Sequence, residues 1–196
     1  DRVSIEPDAV EAQVIEAGPA THGDQDLVCL DGAVARGHRH RSAVDAAQPG
    51  DTLSPEPGTY AGPLVITKPL TLDGRDQVII DGGGKGTVIL LQTDGATLKN
   101  LRLTNSGDSH NDIDAGVQVR GNFNVIKDNV IDHCLFGIDL QQSSNNIVRR
   151  NHISSKPVDL GIRGDAIRFW YSYNNQATDN IIRDSRDTVV WYSKDN

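Results

Sequence analysis

Asn124-Val-Ile-Lys-Asp-Asn-Val-Ile131, Asn146-Ile-Val-Arg-Arg-Asn-His-Ile153 and Asn175-Gln-Ala-Thr-Asp-Asn-Ile-Ile182 are three copies of one frame. Each has Asn at its first and sixth places and Ile at its eighth. The sixth-place residues Asn129, Asn151 and Asn180 lie 151 − 129 = 22 and 180 − 151 = 29 positions apart. Self-similarity at such a period points to a solenoid of stacked repeats. Ala96-Thr-Leu-Lys-Asn-Leu-Arg-Leu103 fits the same frame with Leu101 in the Asn slot.

The apolar runs around these copies are too short for an ordinary sandwich but suit the sides of a coil. Three strands per coil are expected. The first strands are Val88-Ile-Leu90, Val117-Gln-Val119, Ile138-Asp-Leu140, Ile167-Arg-Phe169 and Val189-Val-Trp191, with first and third residues inward. The second strands centre on Leu98, Ile126, Val148 and Ala177, and the third carry Leu101/Leu103, Asn129/Ile131, Asn151/Ile153 and Asn180/Ile182. Successive coils rise by one strand spacing, about 4.8 Å, so equivalent residues stack like on like. A stacked interior Asn can satisfy backbone groups stranded at a corner and also the Asn one coil along. The alternative is that these Asn merely occupy surface turns, where Asn is common.

First-strand spacings of 29, 21, 29 and 22 make long coils alternate with short ones. The extra residues fall between a third strand and the next first strand, at 104–114 and 154–164. Both loops are expected on the same side, beside the outer face of the first sheet. In-register insertions of this kind mark the binding face of a solenoid. That face should carry Gln118, Arg120, Asp139, Gln141, Arg168 and Trp170. In the last coil, matching Asp165 to Asp187 turns Trp191 inward and Tyr192 outward, whereas matching Trp170-Tyr-Ser172 to Trp191-Tyr-Ser193 turns Trp191 outward. A one-residue slip flips the strand, and both registers stay open.

The chain has 196 residues, enough for one domain with a real core. Its charge of −8 is spread without a basic run, which excludes a nucleic-acid role. No apolar stretch reaches the roughly 18 residues of a membrane span. Methionine is absent and the first residue is Asp, so the expectation is a removed leader or a fragment. Residues 1–41 form a poorly defined segment, with short strand candidates at Val3–Ile5 and Leu27–Leu30 and a basic turn at Gly37–Arg41. Ser42–Gln48 reads as a short capping helix, capped by Ser42 and stopped by Pro49-Gly50, that would cover the end of a stack spanning 42–196. Leu64–Ile66, Leu70–Leu72 and Val78–Ile80 read as separate short strands.

Adjacent outward aromatics (Trp170 with Trp191 or Tyr192) among Arg120, Asp139 and Arg168 suit a sugar or a protein partner; they also suit rings resting on the long loops. Asp108, Asp112, Asp114, Asp165 and Asp187 gather where the loops re-enter the sheet, as turn caps or as Ca²⁺ or acid–base groups. His133, Cys134 and His152, with His110 on the first loop, supply ligand types for copper or zinc. Cys29 and Cys134 match no metal spacing, and one disulfide between them is an option. No residue pair has a spacing that compels catalysis, so a binding role is expected ahead of an enzymatic one.

Ala43-Val-Asp-Ala-Ala-Gln-Pro-Gly-Asp-Thr52, Pro57-Gly-Thr-Tyr-Ala-Gly-Pro-Leu-Val-Ile66, Pro69-Leu-Thr-Leu72 and Ile80-Asp-Gly-Gly-Gly-Lys-Gly-Thr87 resemble the opening of the NosD-like family. Asp114-Ala-Gly-Val117, Leu135-Phe-Gly-Ile138, Arg163-Gly-Asp-Ala-Ile-Arg-Phe-Trp-Tyr-Ser172 and Arg186-Asp-Thr-Val-Val-Trp-Tyr-Ser193 continue that resemblance in order, over about residues 42–196. It implies an all-β fold, a right-handed parallel β-helix of the carbohydrate-binding and sugar-hydrolase repeat type. It further implies a periplasmic accessory or scaffold protein for the copper site of nitrous oxide reductase, with the reductase, an ABC transporter and a copper chaperone as partners. Family members are usually longer, so further coils after Asn196 are expected. The competing reading is a polysaccharide lyase or epimerase, or a carbohydrate-binding module, using the outer face of the first sheet.

Overall fold

The computed structural model describes residues 43–196. The candidate strands at Val3–Ile5 and Leu27–Leu30, the Gly37–Arg41 turn, Cys29 and the Ser42 cap lie outside the described residues. Residues 43–46 form a short helix, α1. Lys68 Nζ donates to the Ala47 carbonyl at 2.9 Å and to the Asp45 carbonyl, satisfying acceptors that the end of a helix leaves open. Val44 and Ala47 are buried in the main core, so α1 acts as the expected lid.

The strands form two sheets, and the pairings between them are parallel. One sheet holds β3 (Leu64–Ile66), β5 (Ile89–Leu91), β7 (Ala115–Val119), β10 (Phe136–Gln141), β13 (Ile167–Trp170) and β16 (Thr188–Trp191), in that spatial order. The other begins with β1 (Thr52–Leu53) and β2 (Gly58–Ala61), both paired with β4 (Thr71–Asp81), and β4 pairs with β6 (Thr97–Thr104). From β6 it divides into two sides of the coil. One runs through β8 (Val125–Lys127), β11 (Ile147–Arg149) and β14 (Gln176–Thr178); the other runs through β9 (Val130–Cys134), β12 (His152–Ser155) and β15 (Ile181–Arg183). This is the all-β parallel β-helix that the repeats predict.

Left-handed residues end the strands and turn the corners. Asp128, Arg150 and Asp179 have φ of 57°, 52° and 56°, and each directly precedes a ladder residue: Asn129, Asn151 or Asn180. Such φ values cost a residue like Arg150 roughly 1–2 kcal/mol, which its surroundings must offset. The Asn column does so. Asn129 N donates to Asn151 Oδ1 at 3.1 Å and Asn129 Nδ2 to the same atom at 3.0 Å. Asn151 N and Nδ2 donate likewise to Asn180 Oδ1, both at 3.0 Å. Each Nδ2 also donates to a carbonyl of the preceding coil: Leu98 from Asn129, Ile126 from Asn151 and Val148 from Asn180.

The first-place Asn make a second column that the sequence reading did not assign. Phe123, Asn145 and Asn174, at φ 57°, 59° and 55°, lead into Asn124, Asn146 and Asn175. Asn124 N donates to Asn146 Oδ1, Asn146 N to Asn175 Oδ1 and Asn175 N to Asn196 Oδ1, at 2.8, 2.9 and 2.9 Å.

Between the columns the core is apolar and stacked in register. Leu98, Ile126 and Val148 form one line, and Leu103, Ile131 and Ile153 another. Across from them Ile89, Val117, Ile138 and Ile167 are aligned, as are Leu91, Val119, Leu140 and Phe169. All are buried, and full burial of each such side chain contributes about 1.5–3 kcal/mol. Some levels admit no extra methyl: a Cβ on Gly137 would sit 2.2 Å from the Ala166 carbonyl oxygen and 2.5 Å from Ile153 Cγ2.

Three expectations change and one open choice is settled. Ile89, not Val88, aligns with Val117, so Ile89 and Leu91 point inward and Leu90 outward. The runs Leu70–Leu72 and Val78–Ile80 are not separate: β4 takes in Thr71, Leu72 and Val78–Ile80, bending at Arg75 and Asp76, whose φ values are 49° and 60°. Likewise β6 joins the second and third strands of its coil through Asn100 at φ 54°. In the last coil Trp170 aligns with Trp191, so Trp191 faces outward and the Val189 register is excluded.

Candidate functional site

Two rows of side chains cross the outer face of the first sheet. Register places Gln118, Asp139 and Arg168 in one row, and Gln141, Trp170 and Trp191 in the next. Arg120 directly follows Val119, which aligns with Leu140, and so extends the second row. These residues sit beside a cleft of about 580 Å³ lined by Asn111, Ile113, Arg120, Gln141, Gln142, Arg168 and Trp170. Its far wall is the first long loop.

The two long loops do meet. Lys156 Nζ reaches Asp108 Oδ1 and the Ser106 carbonyl, both at 2.6 Å, and His110 Nε2 donates to the Ile162 carbonyl at 2.8 Å. His110 also lies edge-on to Phe136, with ring centres 5.5 Å apart. The second loop carries a 3₁₀ turn at Leu160–Ile162. These contacts hold the loops as one rim along the sheet.

Asp139 is the electrostatic centre of the face. It has no solvent exposure; Arg168 Nη1 reaches its Oδ1 at 3.2 Å and Gln118 Nε2 its Oδ2 at 3.4 Å. Burial pushes its carboxyl up to about 6, against the opposing pull of the Arg168 guanidinium. Arg168 in turn lies over Trp170, 4.7 Å from the ring centre, and 5.9 Å from that of Trp191. Trp170 meets Trp191, Tyr171 and Tyr192 edge-on, with centres 5.4–5.6 Å apart. Tyr171 and Tyr192 stack at 4.8 Å. Trp191, Tyr171 and Tyr192 are exposed by 49%, 42% and 67%. The rings rest on one another at the sheet edge. Sequence reasoning assigned Trp170, Trp191 and Tyr192 here but not Tyr171, although Trp170-Tyr-Ser172 and Trp191-Tyr-Ser193 repeat at the same spacing.

The loop carboxylates have structural partners. Asp114 Oδ2 accepts from Ser109 N at 2.9 Å, Asp112 from Ser109 Oγ at 2.7 Å, and Asp165 from Arg186 Nη2 at 2.9 Å. Asp187 lies 3.3 Å from Arg186 Nε.

The structure does not bring His133, Cys134 and His152 together. Among the described residues no group of three or more His, Cys, Asp or Glu is placed to hold a metal ion. Cys134 points into the core, where burial pushes its thiol up to about 12. His133, at φ 50°, is exposed and sits 3.5 Å from Asp132. His152 is exposed on the outside of β12, level with Val130 rather than with His133. The left-handed His133 and the bulge beside it break the strand's alternation, so Ile131 and Cys134 both face inward while His133 stays exposed.

No described helix is long and apolar enough to cross a membrane. A family model described as "Right handed beta helix region" matches residues 75–196. A relative from Pseudomonas aeruginosa, named "Probable ABC transporter binding protein NosD", is 30% identical over 133 residues, covering 66% of this chain and 31% of the relative. The match therefore spans about a third of that protein's length. No solved structure matches. With its coils parallel, its asparagines in columns and the match covering residues 75–196, the chain belongs to the right-handed β-helix family and is similar to NosD.

Proposed function

We propose that this chain is an extracytoplasmic accessory protein that docks protein partners on the outer face of its first sheet, serving assembly of the copper site of nitrous oxide reductase. The observation that carries the docking reading is the exposed cluster of Trp170, Trp191, Tyr171 and Tyr192 over Arg168, beside a cleft with a braced rim. Aromatic and Arg side chains dominate the binding energy of protein interfaces. The relative's name supports a transporter-linked setting. The partners are the apo-reductase, an ABC transporter and a copper chaperone. His133, Cys134 and His152 do not converge, so this reading rests on contact between proteins. A pull-down with apo-reductase and transporter tests this: both are retained by the wild-type chain and lost with Trp191→Ala. Absence of both from the wild-type pull-down refutes it.

The Asp139–Arg168 pair beside a cleft favours a second reading, a polysaccharide lyase or epimerase, or a carbohydrate-binding module. The full exclusion of Asp139 from solvent weighs against its acting as the base. A screen on pectin and alginate separates these: turnover indicates an enzyme, and binding without turnover a module.

A further inference from the structure

The cleft beside the first sheet holds more cationic donor capacity than its own residues use. Arg168 gives one bond to Asp139, through Nη1. Arg120 is exposed in the same cleft, and its guanidinium makes no hydrogen bond or ion pair with the described residues. The strands carrying the two arginines are separated by β10; Arg168 lies level with Asp139 and Arg120 level with Gln141, a diagonal of roughly 12 Å between their backbones. Each guanidinium presents a fork of donors matched to a carboxylate.

The rest of the lining discriminates between occupants. A sugar ring needs an open aromatic face. The aromatic in this cleft is Trp170, with Arg168 over its ring and Trp191 and Tyr192 against it. Asn111, Gln141 and Gln142 instead offer amides that both donate and accept, as a peptide backbone does. Ile113 adds a single apolar wall.

We propose that the cleft seats an acidic peptide segment of a protein partner, its Asp or Glu carboxylate held between Arg120 and Arg168. This rests on the partner-docking reading of the face and names the chemistry of what docks. An apolar side chain next to the carboxylate lies against Ile113. The groups facing Asp139 are Gln118 from β7, Arg168 from β13 and Gln141 on its own strand, with Arg120 acting through charge. When Asp139 takes up a proton, Arg168 loses its internal counter-charge and turns more of its field to the ligand. Affinity for the acidic segment therefore rises as pH falls from 7.5 to 5.5.

The test is fluorescence anisotropy on the whole chain with two labelled peptides, Gly-Glu-Leu-Glu-Gly and Gly-Gln-Leu-Gln-Gly, and with oligogalacturonate as the competing anion. The acidic peptide is expected to bind at least tenfold more tightly than its amide twin. Arg120→Ala and Arg120→Gln should each reduce that affinity at least tenfold while unfolding at the wild-type midpoint. Asp139→Asn should bind at pH 7.5 as the wild type does at pH 5.5. Equal affinity for the two peptides, indifference to both Arg120 variants, or binding of oligogalacturonate in place of the acidic peptide overturns the proposal. Partner capture that persists without peptide binding refutes this inference alone; loss of partner capture refutes the docking reading beneath it.

Discussion

Two columns of like residues run along this solenoid at the same repeat, one inside and one outside. The inner one, Asn129, Asn151 and Asn180, is closed: each amide bonds to its neighbour and to a backbone carbonyl. The outer one, Trp170 on Trp191 with Tyr171 on Tyr192, is open: its rings touch but leave much of their surface to water. Identical stacking geometry thus has opposite energetic outcomes. Inside, removing one rung orphans polar groups on both sides. Outside, removing one ring takes away surface that only a partner would cover.

The sharpest way to break the contrast is Asn151→Leu. Asn129 then loses its acceptor and the Ile126 carbonyl its donor. We expect a loss of about 3 kcal/mol or more, read as a lower urea midpoint.

The next effect concerns Asp139, the one outer-face residue as buried as the ladder. Its folded carboxyl titrates at about 6, above an unfolded value of 3.8. The folded state therefore binds the proton more readily, and stability from this group rises as pH falls through 6 toward 3.8. Linkage gives about 1 kcal/mol gained between pH 7 and pH 5. Asp139→Asn should flatten that window in a urea titration series. Asp73 and Asp128 act elsewhere. Burial would raise Asp73, but bonds from Asn100 and Lys99 outweigh it, and the Arg150 bond lowers Asp128. Their contribution is present above 3.8 and is lost as pH falls through their lower folded values.

Trp191→Ala should change the unfolding free energy by less than about 1 kcal/mol in a urea titration, as expected for a half-exposed side chain. The same substitution should reduce partner capture at least tenfold. The smallest effect is at the rim. Lys156→Ala removes the tie to Asp108 and Ser106 and should cost about 0.5 kcal/mol, with faster proteolysis between 106 and 114 as the readout.

The frame was legible because its key residues are chemically singular: an Asn six places into an otherwise apolar and charged segment has few reasons to recur. The same recurrence at Asn124, Asn146 and Asn175 carried a second ladder that was there to be read. The register of Val88-Ile-Leu-Leu91 was not legible, because four apolar residues in a row carry no inward–outward alternation. Nor were the joined strands β4 and β6, whose corners bend through left-handed residues and whose pairing resumes after a register shift between Asp73 and Val78. Outward placement of Arg120, Asp139, Arg168 and Trp170 followed from alternation alone. The Asp139–Arg168 pairing depended on a register between strands 29 residues apart. The structure does not group His133 with Cys134, because a left-handed residue and a bulge interrupt the alternation there and leave His133 outside while Cys134 faces the core.

The asparagine columns also have a direction. In both, Oδ1 accepts from the Asn of the coil before, from Asn129 to Asn151 to Asn180 and from Asn146 to Asn175 to Asn196, while Nδ2 divides its two N–H groups between the coil after and a carbonyl of the coil before. Amide dipoles aligned head to tail add and polarise one another. The solenoid therefore carries two columns of aligned side-chain carbonyls, with their oxygen atoms toward the α1 lid.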